Sequence, residues 1–204
     1  MEFKNEILLK NDIVSLRPLK KEDISLLKEF SLNEPELWKY SLTPADGLEN
    51  LKNYIDQALR EKELKTSYPF IVLDKRTNKI AGSNRFYDYR KAHKTVQLGF
   101  TWYGKEFQGT GLNKNCKFLL LQYAFEEMDL ERVEFRADAT NIKSIAAMKS
   151  IGCIEEGILR SNCAAPKGRR DSIVLSILKD EWLNRVKDLL KNKITIHRTL
   201  DPPL

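Results

Sequence analysis

Two hydrophobic periods alternate along this chain. Ile13 to Leu19 switches between apolar and polar residues with period two, as a half-buried strand requires, and Pro18 ends the run. Lys21 to Leu32 then places Ile24, Leu27 and Phe30 at helical spacing. Asp46 to Lys65 repeats that spacing over a longer stretch with Leu48, Leu51, Ile55, Ala58 and Leu59. Aromatic and β-branched runs at Tyr68 to Leu73, Ile80 to Tyr89 and Thr95 to Tyr103 are separated by the polar turns Asp74 to Asn78 and Arg90 to Lys94, which predicts a three-strand meander. In its last strand, alternation puts Val96, Leu98, Phe100 and Trp102 on one face and Gln97, Gly99, Thr101 and Tyr103 on the other.

The second half mixes the two periods more tightly. Leu112, Cys116, Leu119, Leu120, Tyr123 and Ala124 share a helical stripe that predicts a helix from Leu112 to Met128. Arg132 to Ala137 reads as a strand. Asn141 can cap a helix that runs to Ile151 and stops at Gly152. Cys153 to Arg160 and Asp171 to Leu178 read as strands joined by a loop, and Trp182, Leu183, Val186, Leu189 and Leu190 form a last helical stripe.

The order β-α-α-β-β-β-α-β-α-β-β-α predicts a mixed α/β fold, one twisted sheet of seven strands with helices on both faces. The helix from Leu112 should cross over to a strand parallel to Thr95–Tyr103. No repeat, low-complexity run or Gly/Ser linker divides the chain. Residues 1–194 are therefore expected to form one domain, followed by a loose tail over 195–204 with Pro202 and Pro203.

Composition narrows the class. The chain has 204 residues, 35 Lys+Arg against 29 Asp+Glu, a net charge of +6, 42% hydrophobic and 31% charged residues. That excludes collagen, coiled coil and disordered chains. Cys116, Cys153 and Cys163 are an odd number without a CxxC pair, so no disulfide framework is indicated and no metal site is expected. No run reaches the ~18 apolar residues of a membrane span, and the first residues lack a secretory signal's apolar core. The expectation is a cytoplasmic protein without a membrane partner. Basic clusters at Lys20-Lys21, Lys75-Arg76, Arg90-Lys91 and Lys167 to Arg170 are short and carry no interleaved aromatics. They read first as a solvated surface; nucleic-acid binding ranks last among the functions weighed.

The segment that changes the picture is Gly104 to Asn113. Gly109 and Gly111, two residues apart, sit where a strand hands over to a helix N-terminus, whose N–H groups and dipole attract anions. Neither a Walker lysine nor GxGxxG is present, and a GxG turn alone also describes plain helix entry. Its context is a parallel strand pair with Asn141 opening a second helix, and ligands bind where such strands splay at their C-terminal ends.

In these residues the sequence resembles the GNAT N-acetyltransferases, in particular the branch that acetylates ribosomal-protein N-termini. The resemblance is carried by Trp102-Tyr103, Gln108 to Asn113, Lys117 with Leu119 to Phe125, Arg132 to Glu134, Asn141 with Ser144, Glu156 to Arg160 and Glu181-Trp182. It implies acetyl-CoA as cosubstrate and acetyl transfer to a primary amine through a ternary complex. The implied pyrophosphate loop is Gln108, Gly109, Thr110, Gly111, Leu112 and Asn113; Gln108 and Gly111 match the family pattern, and Asn113 replaces its final small residue. Thr101, Trp102 and Tyr103 would run along the pantetheine arm, with an amide near Thr101 or Trp102 polarising the thioester carbonyl, and Asn141 would contact the same arm.

Acid and base are less clearly marked. The tyrosine that many family members place seven positions after the asparagine is Met148 here, and the resemblance offers Ser144 in its stead; a backbone-bonded serine is the competing reading. Glu106, Glu134, Glu155 and Glu156 are candidate bases or plain surface charges, His93 and His197 read as solvated, and water-relayed deprotonation needs no base. The acceptor implied is a protein N-terminus, with work near the ribosome. A small amine such as a polyamine or aminoglycoside, or a catalytically weak acyl-CoA-binding module, are the alternatives. Monomer and homodimer stay open.

Overall fold

The computed structural model describes residues 6–165 and 168–200, with side chains placed through residue 194. Eight strands form one sheet: β1 (Leu9–Lys10), β2 (Val14–Pro18), β3 (Tyr68–Asp74), β4 (Lys79–Arg90), β5 (Thr95–Tyr103), β6 (Arg132–Asp138), β7 (Ile154–Ala165) and β8 (Gly168–Leu178), in spatial order β1-β2-β3-β4-β5-β6-β8-β7. The mixed α/β architecture is the one expected. The strand count rises from seven to eight because the short β1, whose Leu9 and Lys10 pair with Leu16 and Ser15, is too brief to show a period. β5 and β6 are parallel, and every other neighbouring pair is antiparallel.

Helices cover both faces. Along β3, Phe70 and Val72 point into one apolar core and Ile71 into another, as the pleat demands. The second core is closed by α1 (Ile24–Asn33) and α2 (Leu48–Glu63). There Leu51 and Ile55 are fully buried, each contributing about 1.5–3 kcal/mol of apolar burial. The first core holds α3 (Leu112–Gln122), the inner residues that follow it, and Met148 of α4 (Ile142–Ser150). The C-terminal helix begins as α5 (Lys179–Glu181), passes a π turn at Trp182–Val186 and continues as α6 (Lys187–Leu200).

Four further sequence expectations are corrected. The helix expected over Leu112 to Met128 is α-helical only to Gln122 and becomes a π turn at Tyr123–Glu127. There Phe125 stacks on Trp182 at 5.8 Å, and Glu126 accepts a hydrogen bond from the Trp182 indole. The expected loop between Arg160 and Asp171 is largely strand, with Cys163, Ala164 and Ala165 paired to Arg170, Arg169 and Gly168. Most β7 side chains are exposed, so backbone pairing extends this arm without leaving an apolar alternation to read. The tail expected from Thr195 continues α6 to Leu200, since no Gly or Pro interrupts the chain before Pro202; residues 201–204 lie outside those described.

The fourth correction concerns β5. Its register against β4 runs Gly99↔Arg85 and then Trp102↔Ser83, so Phe100 and Thr101 together oppose Asn84. This is a β-bulge, with Phe100 at φ 45°. The extra residue breaks the alternation: Val96 and Leu98 lie in the α3-side core with Tyr103, whereas Phe100 and Trp102 pack toward α1 and α2. Gly82, opposite Tyr103, is required by this close approach, because a Cβ there would stand 2.0 Å from the Trp102 carbonyl oxygen.

Candidate active site

β5 and β6 pair at only three positions: Thr95↔Arg132, Val96↔Val133 and Gln97↔Glu134. Beyond them the strands separate, and β5 keeps only its β4 neighbour while β6 keeps only β8. The crevice opens into a cavity of about 1060 Å³, lined by both strands, the entrances of α3 and α4, the segment after α1 and the β7–β8 arm.

The strand-to-helix loop is built locally. Gln108 donates from Nε2 to the Tyr103 carbonyl at 2.8 Å, turning the chain back onto the end of β5. The Thr110 hydroxyl donates to the Phe107 carbonyl at 2.8 Å, and the Thr110 carbonyl accepts from Arg76 at 3.2 Å. Gly111 is the N-cap of α3 at φ 79°, ψ −9°, a left-handed conformation in which glycine carries no Cβ penalty. The first helical N–H groups that follow have no intrahelical acceptor by construction. Gly109, also at φ 79°, has open space where a Cβ would be, and the Asn113 Oδ1 is buried with no hydrogen-bond partner in the protein. A cradle with spare N–H donors and open space suits an anionic ligand.

Across the crevice, the Asn141 side chain caps α4 by accepting from the Ser144 amide at 3.1 Å. The two helix entrances are tied together, since Lys143 donates to Gln108 Oε1. Ser144 is half-buried and lines the cavity, as does the largely buried Met148. Thr101, Trp102, Tyr103, Gln108, Gly109, Gly111, Asn113 and Asn141 line the same cavity. Thr110 and Leu112 do not; the Leu112 side chain is fully buried in the core, leaving its backbone to the loop.

The four glutamates singled out as candidate bases stand outside the cavity. Glu106 meets Lys79, Glu134 sits between Arg132 and Arg136, Glu155 meets Lys149, and Glu156 meets Arg132. The carboxylates that do line it are Glu36 and Asp138. Burial pushes the Asp138 carboxyl up, but hydrogen bonds from the Thr140 hydroxyl and amide and the charge of Arg170 outweigh it and hold it below its ordinary value, which makes it a weak base.

Sequence reasoning missed a polar network under the bulge. Lys117 Nζ donates to Asn84 Oδ1 at 2.7 Å and to Thr101 Oγ1 at 2.6 Å; Thr101 Oγ1 donates to Asn84 Oδ1 at 2.9 Å; and Asn84 Nδ2 donates to the Tyr103 hydroxyl at 2.8 Å. Lys117 is 4% exposed yet touches the cavity. Burial depresses its pKa to about 8. The available signal was a lysine on the inner side of a helix, three and four residues before the buried Leu120 and Leu121, with no acidic residue at helical spacing from it.

Known proteins similar to this chain are acetyltransferases. Residues 14–154 match the acetyltransferase (GNAT) domain family. The chain is 33% identical over 103 residues to the "Putative ribosomal N-acetyltransferase YdaF" of Bacillus subtilis (strain 168), covering 50% of this chain and 56% of that relative's length. A spermidine N(1)-acetyltransferase of Escherichia coli (strain K12) is 22% identical over 83% of this chain and 88% of its own. The crystal structure of a GCN5-related N-acetyltransferase from Brucella melitensis superposes with a TM-score of 0.86 at 21% identity, covering 94% of this chain and 86% of that one, a likeness of fold.

Proposed function

The chain belongs to the acetyltransferase (GNAT) family, and we propose that it moves an acetyl group from acetyl-CoA to the α-amine of a protein N-terminus of ribosomal type. The observation that carries this reading is the splayed β5–β6 crevice with the Gly111 helix entrance on one side and the Asn141/Ser144 entrance on the other. Amides from Gly109 to Asn113 would hold the pyrophosphate without a basic side chain, with the unpaired Asn113 Oδ1 accepting from a ligand donor. The edge of β5 left open beyond Gln97 would pair with the amide-bearing pantetheine arm, and Asn141 would border the same arm.

Bound acetyl-CoA supplies an acyl group activated as a thioester and a thiol leaving group. The acceptor nitrogen forms the new N–C bond, the C–S bond breaks, the nitrogen loses one proton to water and the thiolate gains one. Amides at the bulge around Thr101 face the charge that grows on the carbonyl oxygen. Ser144 is the hydroxyl donor proposed for the thiolate, because the position often held by tyrosine is Met148. Proximity in the crevice supplies much of the remaining rate.

The spermidine acetyltransferase relative favours a polyamine as second reading. The charge of the cavity opposes it. Lys105, Lys114, Lys117, Arg136, Lys143 and Arg170 line it against Glu36 and Asp138, an excess of 6 − 2 = 4 cations over anions. Such a field attracts a phosphate-bearing cosubstrate and repels a polycation.

Thermal melting with acetyl-CoA, read beside thiol release against N-terminal peptides and spermidine, tests this. Ligand at 100 times its dissociation constant should add about 2.7 kcal/mol of stability. Peptide-dependent thiol release should fall about 10²-fold in Ser144→Ala with binding retained. Release with spermidine and none with peptides would move the assignment to the polyamine reading.

A further inference from the structure

Lys117 is a buried cation that the family resemblance assigns no task. It lies in α3, on the core side, 4% exposed. Its two acceptors are neutral, Asn84 of β4 and Thr101 of β5, and among the described residues no carboxylate forms an ion pair with its ammonium. Both acceptors belong to the bulge: Asn84 is the residue opposed by the extra one, and Thr101 is one of the two opposing it. Thr101 and Lys117 both reach the cavity wall. Burying a cation without a counter-ion costs folding energy that a hydrophobic side chain of similar length would not. Sites that keep such a cost tend to be functional.

Resting on the acyl-transfer reading above, we propose that Lys117 is a positioning residue for that reaction, bracing Thr101 and the β5 bulge so that the bulge amides face the thioester carbonyl, and setting a fixed positive charge behind the point where negative charge develops. The low-dielectric surroundings make that charge effective. Asn84 is the hinge of the arrangement, because its oxygen accepts from both Lys117 and Thr101 while its amide holds the Tyr103 hydroxyl. A structural lysine would be expected to pair with a carboxylate or to lie largely in solvent, and this one meets only neutral acceptors and is 4% exposed.

Titration adds a readout that a space-filling role would not move. The titratable groups facing Lys117 are Cys116 on its own helix, Cys153 ahead of β7, and Tyr103 on β5 through Asn84. Burial pushes both thiols up to about 12 and holds the Tyr103 phenol well above its ordinary value, so all three are neutral when Lys117 loses its proton near 8.

The experiment uses full-length protein and [1-¹³C]acetyl-CoA. In the wild type the carbonyl stretch of the bound thioester should lie below that of the free compound, and should drift back toward it as pH rises through about 8. Lys117→Met should show the free-like band at every pH. Its kcat should be lower by about 10- to 100-fold with KM for acetyl-CoA within about threefold, and its melting temperature at or above the wild type's. Wild-type turnover in Lys117→Met, or a bound carbonyl band that ignores both the substitution and pH, overturns the proposal. Should Lys117→Met fold poorly, the wild-type spectral titration decides alone. If acetyl-CoA binds but no peptide or amine is acetylated, the functional reading fails while the carbonyl band still decides the role of Lys117. If acetyl-CoA does not bind, both fall.

Discussion

Two long cations are buried back to back at the same bulge, on opposite faces of the sheet. Arg85 points toward α2, completely buried. It meets Glu61 at 3.3 Å, and its guanidinium lies over the Phe100 ring at 3.9 Å and near the Tyr54 ring at 5.0 Å. Lys117 reaches from α3 to the other face and finds an amide oxygen and a hydroxyl. One cation is neutralised and wedged between aromatic rings; the other keeps its charge and borders a cavity. The Arg85 guanidinium packs on Phe100, which holds a left-handed conformation, and Lys117 bonds the side chains of Asn84 and Thr101 on the other face. The two environments are thus separated by the thickness of one strand.

That contrast can be broken at three points. The largest effect should come from Gly82→Ala, which drives a Cβ into the Trp102 carbonyl and disturbs the bulge for both faces at once. We expect a loss of about 3 kcal/mol, roughly 6–12 °C in melting temperature, together with lost acetyl transfer. A variant that melts normally would mean that β4 and β5 tolerate separation there. Next is Glu61→Gln, which strands the buried Arg85 charge. Because Glu61 is itself partly exposed, the cost should be about 1–3 kcal/mol by denaturant titration, with kcat within twofold of wild type. Lost activity in a folded Glu61→Gln protein would erase the division between the faces. The third effect vanishes at neutral pH and is a slope. Below about 8 Lys117 is charged in both states and its burial cost is carried in full. Between about 8 and the ordinary lysine range the unfolded chain binds one proton more than the folded one, so stability rises with pH. The stability difference between wild type and Lys117→Met should therefore move in the wild type's favour over that interval. Parallel curves would show that the ammonium is solvated.

What the sequence disclosed and what it hid follow from the range over which each signal acts. The Gln108–Asn113 turn, the Asn141 cap and the helix stripes of α2 and α3 are local: each depends on neighbours within one or two turns, and each was readable. The bulge at Phe100 is set by register with β4 and by the missing Cβ of Gly82, so an alternation that looked regular from Val96 to Trp102 concealed a change of face. β7 is held by backbone pairing to β8 while its own side chains are largely exposed on both faces, which leaves no period to detect. Lys117 was visible as a residue and hidden as a feature, because Asn84 and Thr101 reach it from strands 33 and 16 residues away, beyond the range of a helical period.

The three-pair seam between β5 and β6 has one more consequence. An unpaired strand margin normally sits on the rim of a sheet, where any neighbouring chain can add to it and begin an aggregate. Here the margin lies in the middle of the eight-strand order, between β4 on one flank and the receding β6 on the other. The helix entrances and the β7–β8 arm line the crevice around it. The molecule thus carries its open strand margin inside the sheet rather than on its rim, where a neighbouring chain would add to it.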